Sequence, residues 1–143
     1  MKKILFVMAL VLSVMLVMGC KSTPPTDNDY IKLYDKSTGL ILDGAKEYIV
    51  KHGDTLHDIA HKEMGNSHYY PIIMLASRGV VVNPDKILPD MKLTIPDFEK
   101  NKADENARKS MKNCLLGFAD LEKNKAKPNQ QLIDGFKTEA GKL

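Results

Sequence analysis

Hydrophobic positions along this chain change their period several times, and each change marks an element. Residues 4–18 form an apolar run, interrupted only by Ser13, behind Lys2 and Lys3, closed by Gly19 and Cys20. Residues 21–29 (KSTPPTDND) are polar and Pro-rich, which predicts a flexible or extended tether. Two short apolar runs follow, Ile31 to Tyr34 and Leu40 to Leu42, separated by Ser37, Thr38 and Gly39. Their pattern favours neither helix nor strand, and they are expected to pack against the neighbouring unit. Tyr48, Ile49 and Val50 are β-favouring and run into a turn at His52 and Gly53.

Helical spacing begins directly afterwards. Asp54 and Thr55 are N-cap types, Thr55 with Asp58 approximates a capping box, and Leu56, Ile59, Ala60 and Met64 form one apolar stripe. Gly65, Asn66 and Ser67 end that helix. Pro71 suits the first turn of a second helix, where its missing N–H costs nothing; Ile73, Ala76 and Ser77 continue it and Gly79 stops it. Met91, Leu93 and Ile95 alternate with Lys92 and Thr94, the pattern of a half-buried strand. From residue 97 onward the chain is helix-patterned again. Ala103, Ala107, Met111, Cys114, Leu115, Phe118 and Leu121 share one face, Lys127, Pro128 and Asn129 interrupt, and Leu132, Ile133 and Phe136 form a second stripe. The predicted fold class is therefore α+β: a small βααβ unit followed by a C-terminal helical hairpin.

The landmarks of residues 48–96 (YIVKHGDTLHDIAHKEMGNSHYYPIIMLASRGVVVNPDKILPDMKLTIP) resemble a LysM module, the small βααβ domain that binds N-acetylglucosamine-containing glycans such as peptidoglycan and chitin. Val17, Met18, Gly19 and Cys20, behind the basic and apolar leader, resemble a bacterial lipobox. That resemblance implies cleavage before Cys20 and its acylation by fatty acid such as palmitate. The chain is thus expected to be a LysM domain-containing bacterial lipoprotein in four parts: signal peptide 1–19, acylated Cys20 and tether 20–46, LysM domain 47–96, and helical extension 97–143.

The resemblance also implies a glycan site in a shallow groove. Gly53, Asp54, Thr55 and Leu56 would form one side, and Asn83, Pro84, Asp85, Lys86, Ile87, Leu88 and Pro89 the other. Backbone groups of such loops pair with acetamido groups, apolar side chains cover C–H faces, and Gly53 permits close approach. Each residue has a structural role open to it as well: Asp54 and Thr55 as caps, Pro84 and Pro89 as turn formers, Ile87 as core. Two positions depart from the family pattern. Ser77 stands where Asn is common, and Asp90 where a turn glycine is usual. A third departure is that Ile72, Met74 and Leu75 make the second helix apolar nearly all round. Such a helix is covered on both sides, so the C-terminal helices are expected to dock on it.

Charge and candidate chemistry narrow the function classes. The formal net charge is +3, and two of those charges sit on Lys2 and Lys3, which leave with the signal. A near-neutral exported chain excludes nucleic acid as a partner. The chain has two cysteines; with Cys20 acylated, Cys114 has no intrachain partner and reads as a small buried thiol. His57 and His61 lie four apart on one helix face, a metal-compatible spacing, but it is the polar face and no third ligand is evident. No cofactor and no metal are expected. No nucleophile–base pair accompanies the module, so the chain is expected not to be an enzyme. The expected function is a membrane-anchored lipoprotein that binds peptidoglycan through one LysM module, tethering envelope to wall. Its partners would be peptidoglycan glycan strands, the lipid bilayer through Cys20, and an envelope protein on the C-terminal helices. The expected location is the cell envelope, facing the periplasm. The alternative is a protein-interaction scaffold that keeps the fold with little glycan affinity.

Overall fold

The computed structural model describes residues 23–143. The signal peptide and the lipobox, Cys20 included, lie outside the described residues. Within them the chain is α+β, with helices around one two-stranded antiparallel sheet. The elements are α1 (Asp27–Asp35), β1 (Lys46–Ile49), α2 (Leu56–Met64), α3 (Tyr70–Ala76), β2 (Lys92–Ile95), α4 (Phe98–Ala103), α5 (Glu105–Lys123) and α6 (Gln130–Gly141). Short 3-10 turns at Ser67–Tyr69 and Pro84–Lys86 precede α3 and β2. β1 and β2 pair in the register Lys46 to Ile95 and Ile49 to Lys92. Among the described residues no helix is long and apolar enough to cross a membrane.

Local chemistry sets most boundaries. Thr55 caps α2, its Oγ1 accepting from the Asp58 N–H at 3.1 Å and donating to the Asp58 carboxylate at 2.6 Å. Gly65 ends α2 in left-handed geometry at φ 76°. The residue expected as a turn glycine, Asp90, does adopt left-handed backbone at φ 69°, which a short polar side chain tolerates better than most.

Four boundaries differ from the pattern-based expectation; β1, expected at Tyr48 to Val50, runs from Lys46 to Ile49. The tether ends sooner than residue 29, because the Thr26 N–H and hydroxyl both donate to the Asp29 carboxylate at 2.8 Å and start α1 at Asp27. α3 stops at Ala76, before Ser77 and Gly79, because Ser77 turns inward: its Oγ accepts from the Thr94 N–H at 2.8 Å and ties the helix end to β2. Ala103 is exposed and off the buried stripe, because Asp104 breaks the helix and caps α5 through the Ala107 N–H at 2.8 Å.

α3 is the centre of the core. Ile72, Ile73, Met74 and Leu75 are all buried, with the sheet on one side and α5 on the other. The expected docking of the C-terminal helices is what covers the second side. The Cys114 thiol donates to the Pro71 carbonyl at 3.3 Å, and Phe118 meets the rings of Tyr70 at 5.7 Å and Tyr30 at 5.4 Å. Where α1 crosses α5 the Leu33 side chain lies directly over Gly117, and a Cβ there would displace it.

Between α1 and β1 the chain is an extended strap over the α4–α5 junction. The buried Asn101 side chain brackets Ile41, its Oδ1 accepting from the Ile41 N–H at 2.8 Å and its Nδ2 donating to the Ile41 carbonyl at 2.9 Å. Ser110 Oγ accepts from the Gly39 N–H at 2.8 Å. Both run-forming segments that pattern left unassigned are thus packed, one as α1 and one as this strap.

Candidate functional site

The turn between β1 and α2 and the loop before β2 face one another. In the first, Gly53 takes φ 89°, a conformation that favours glycine. One oxygen of the Asp54 carboxylate accepts from the Lys51 N–H and from the Tyr48 hydroxyl, each at 2.8 Å. Those hydrogen bonds, the backbone one foremost, hold its pKa below the usual aspartate value. In the second loop, Asn83 caps the 3-10 turn by accepting from the Asp85 N–H at 2.9 Å, and Pro84 fills the first position.

These loops enclose a cavity of about 290 Å³. Asp54, Thr55 and Leu56 line it on one side, and Pro84, Asp85 and Ile87 on the other. Six of the expected site residues are therefore brought together. The other five stand outside the cavity, each for a visible reason. Gly53 shapes the turn but contributes no side chain. Asn83 and Lys86 are drawn to α1, where Asn83 Nδ2 and Lys86 Nζ bond the two oxygens of Asp27 at 3.2 and 2.7 Å. Leu88 points to solvent at 60% exposure, and Pro89 is exposed in the turn that Asp90 closes.

Four lining residues were not expected: His57, Tyr70, Lys125 and Leu132. The His57 ring lies 4.6 Å from the Tyr70 ring. Burial, and then the nearby His68, push its pKa below the usual histidine value. Tyr70 is buried and its pKa is raised, chiefly by that burial. Lys125 and Leu132 come from the α5–α6 turn, far along the chain; no local pattern marks them as site residues. His57 carried only its place on the polar face of α2.

The remaining chemistry is sparse. Burial raises the Cys114 thiol well above its ordinary pKa, which disfavours the thiolate that nucleophilic or metal chemistry needs. Among the described residues no three His, Cys, Asp or Glu side chains are grouped to hold a metal. A second cleft of about 320 Å³ lies between β1, the end of α2 and the start of α4, with Lys46 facing Glu63, Asp97 and Glu99. Asp97 there accepts from the Lys100 N–H at 3.0 Å and caps α4.

The two loops and the α5–α6 turn together form a concave groove of the kind a binding protein presents. No family model matches the chain. Among curated proteins, the chain is 42% identical over 50 residues to the potassium binding protein Kbp of Escherichia coli. The matched stretch is 35% of this chain and 34% of that protein's length. These findings correct the expectation of a LysM-domain bacterial lipoprotein: no family model carries that assignment, and the curated match is a potassium binding protein that shares one short stretch. What the match supports is the coarser statement, a LysM-type binding function.

Proposed function

We propose that the chain binds peptidoglycan non-catalytically, through N-acetylglucosamine-containing glycan held in the groove between the Asp54 and Asp85 loops. The observation that carries this reading is that Asp54, Thr55, Leu56, Pro84, Asp85 and Ile87, from two loops distant in sequence, line a single cavity. Its chemistry suits a sugar. Carboxylates accept from hydroxyl groups, the His57 ring and the Ile87 side chain offer surface to C–H faces above the buried Leu56 and Tyr70, and a concave site with few polar groups fixes orientation. The buried Cys114 thiol adds nothing catalytic to it. An envelope location is part of the proposal, supported by the sequence pattern of residues 2–20.

The test is co-sedimentation of the full chain with purified insoluble peptidoglycan, with and without soluble N-acetylglucosamine oligomers. Binding that the oligomers compete away is the expected result. Protein that stays in the supernatant at high concentration refutes glycan binding.

A further inference from the structure

The groove has a wall that the βααβ unit does not supply. Lys125 and Leu132, on the α5–α6 hairpin, line the cavity opposite the two loops. We propose that these two residues contact the ligand and set its specificity, restricting the groove to a short, uncharged N-acetylated glycan element. This inference rests on the groove being the glycan site.

The wall is held in place by its own chemistry. Glu122 is buried, and its two oxygens accept from the Asn129 N–H at 3.1 Å and from Lys125 Nζ at 2.6 Å. The carboxylate therefore cinches the hairpin turn and fixes the lysine together. An ammonium group has three donors; one is on Glu122, which leaves two for a ligand oxygen. Leu132 sits in the first turn of α6, whose N-cap Asn129 accepts from its N–H at 3.1 Å. A leucine so placed adds a second apolar surface to that of Ile87.

Size and charge then select the ligand. A cavity of about 290 Å³ is at the lower end of small-molecule sites, roughly 300–1,000 Å³. It suits one or two sugar rings rather than a long run of glycan. The charge of Lys125 is matched by Glu122, so Asp54 and Asp85 leave the groove negative. A ligand carboxylate, such as the lactyl group of a muramyl sugar, is repelled. The acetamido carbonyl of a neutral sugar, by contrast, can accept from Lys125.

Calorimetric titration of the full chain with N-acetylglucosamine, with its oligomers of two, four and six units, and with N-acetylmuramic acid, whose lactyl carboxylate is free, tests this. The wild-type affinity should plateau by the dimer and be weaker for N-acetylmuramic acid than for N-acetylglucosamine. Lys125→Gln, which keeps an amide donor for Glu122, and Leu132→Ala should each weaken oligomer binding about tenfold, with far-UV circular dichroism showing both variants still folded at the titration temperature even where the loss of the Glu122 partner or of Leu132 packing lowers the unfolding midpoint. Oligomer binding that the two variants leave intact overturns the contact role of the wall while the groove reading stands. Affinity that rises beyond the dimer overturns the size restriction, and equal affinity for the two monosaccharides overturns the charge restriction. A wild-type chain that binds no oligomer removes the groove reading, and this inference with it.

Discussion

Phe118→Ala is the sharpest probe of how the C-terminal helices and the βααβ unit depend on one another. Phe118 projects from α5 and is only 3% exposed. Its ring lies 5.4 Å from Tyr30, 6.3 Å from Tyr34, 5.7 Å from Tyr70 and 6.2 Å from Phe136. It therefore joins α1, α3, α5 and α6 at one point. Truncating a buried phenylalanine costs about 3–5 kcal/mol, from lost transfer energy and the cavity left behind. The aromatic pairs, at roughly 0.5–1.5 kcal/mol each beyond burial, push this site toward the upper part of that range. Total stability for a domain is about 5–15 kcal/mol, so roughly a fifth or more of it is at stake. At about 4 °C per kcal/mol for this size, the midpoint should fall by ~12–20 °C. The chain has no tryptophan and five tyrosines, three of them ringing Phe118, so tyrosine fluorescence reports this junction directly. Urea and thermal unfolding followed by that signal and by far-UV circular dichroism should coincide in one transition for both proteins. A loss below about 1 kcal/mol, or a βααβ transition that stays at the wild-type midpoint while the helices melt alone, would refute the shared core.

Three further outcomes follow from named contacts. A Cβ at Gly39 would stand 2.6 Å from Ser110 Oγ and 2.8 Å from the Asn106 carbonyl oxygen, so Gly39→Ala should lift the strap and cost roughly 1–3 kcal/mol in urea unfolding; an unchanged midpoint would contradict that packing. Asp27→Ala frees Asn83 and Lys86, and because the ion pair is exposed the unfolding midpoint should barely move, while glycan affinity falls several-fold as the loop wall loosens; equal affinity would show that the loop holds itself. Glu139 is buried, which raises its pKa, but hydrogen bonds from Lys142 and from the Tyr69 hydroxyl outweigh this and leave it below the usual glutamate value. Its stabilisation is thus present above the unfolded pKa and is lost as pH falls through the acidic range, so the drop in thermal midpoint from pH 6 to pH 3 should be smaller in Glu139→Gln, and equal drops would rule out the linkage.

Much of the fold is legible because it is decided locally. The stripe of Leu56, Ile59, Ala60 and Met64, the cap at Thr55 and the alternation of Leu93 and Ile95 each act within a few residues, and all appear as their pattern requires. Apolar side chains on every side of α3 even announce a second covering layer, and α5 is that layer. What fails to show is settled by partners distant in sequence. Ser77 reads as one more helical residue until the Thr94 N–H, 17 positions away, claims its hydroxyl. The strap of residues 36–45 has no period of its own because Asn101 and Ser110, not neighbouring strands, satisfy its backbone.

The groove divides along the same line. Its two loops are readable, since turn and cap chemistry at Gly53, Thr55, Asn83 and Pro84 fixes them locally. Which of their side chains reach the cavity is not, because α1 competes for them: Asp27 draws Asn83 and Lys86 away from the face where the loop sequence alone would put them. The third wall is invisible for a stronger reason. Lys125 is an ordinary surface lysine in sequence and becomes a site residue only because Glu122 holds it at the end of a hairpin that α3 has recruited. The apolar excess of Ile72, Met74 and Leu75 thus does two things at once. It draws the extension onto the βααβ unit, and in doing so it carries the α5–α6 turn to the rim of the groove. A substitution that undocked the extension should therefore alter ligand selectivity as well as stability, although it touches no residue of the two loops.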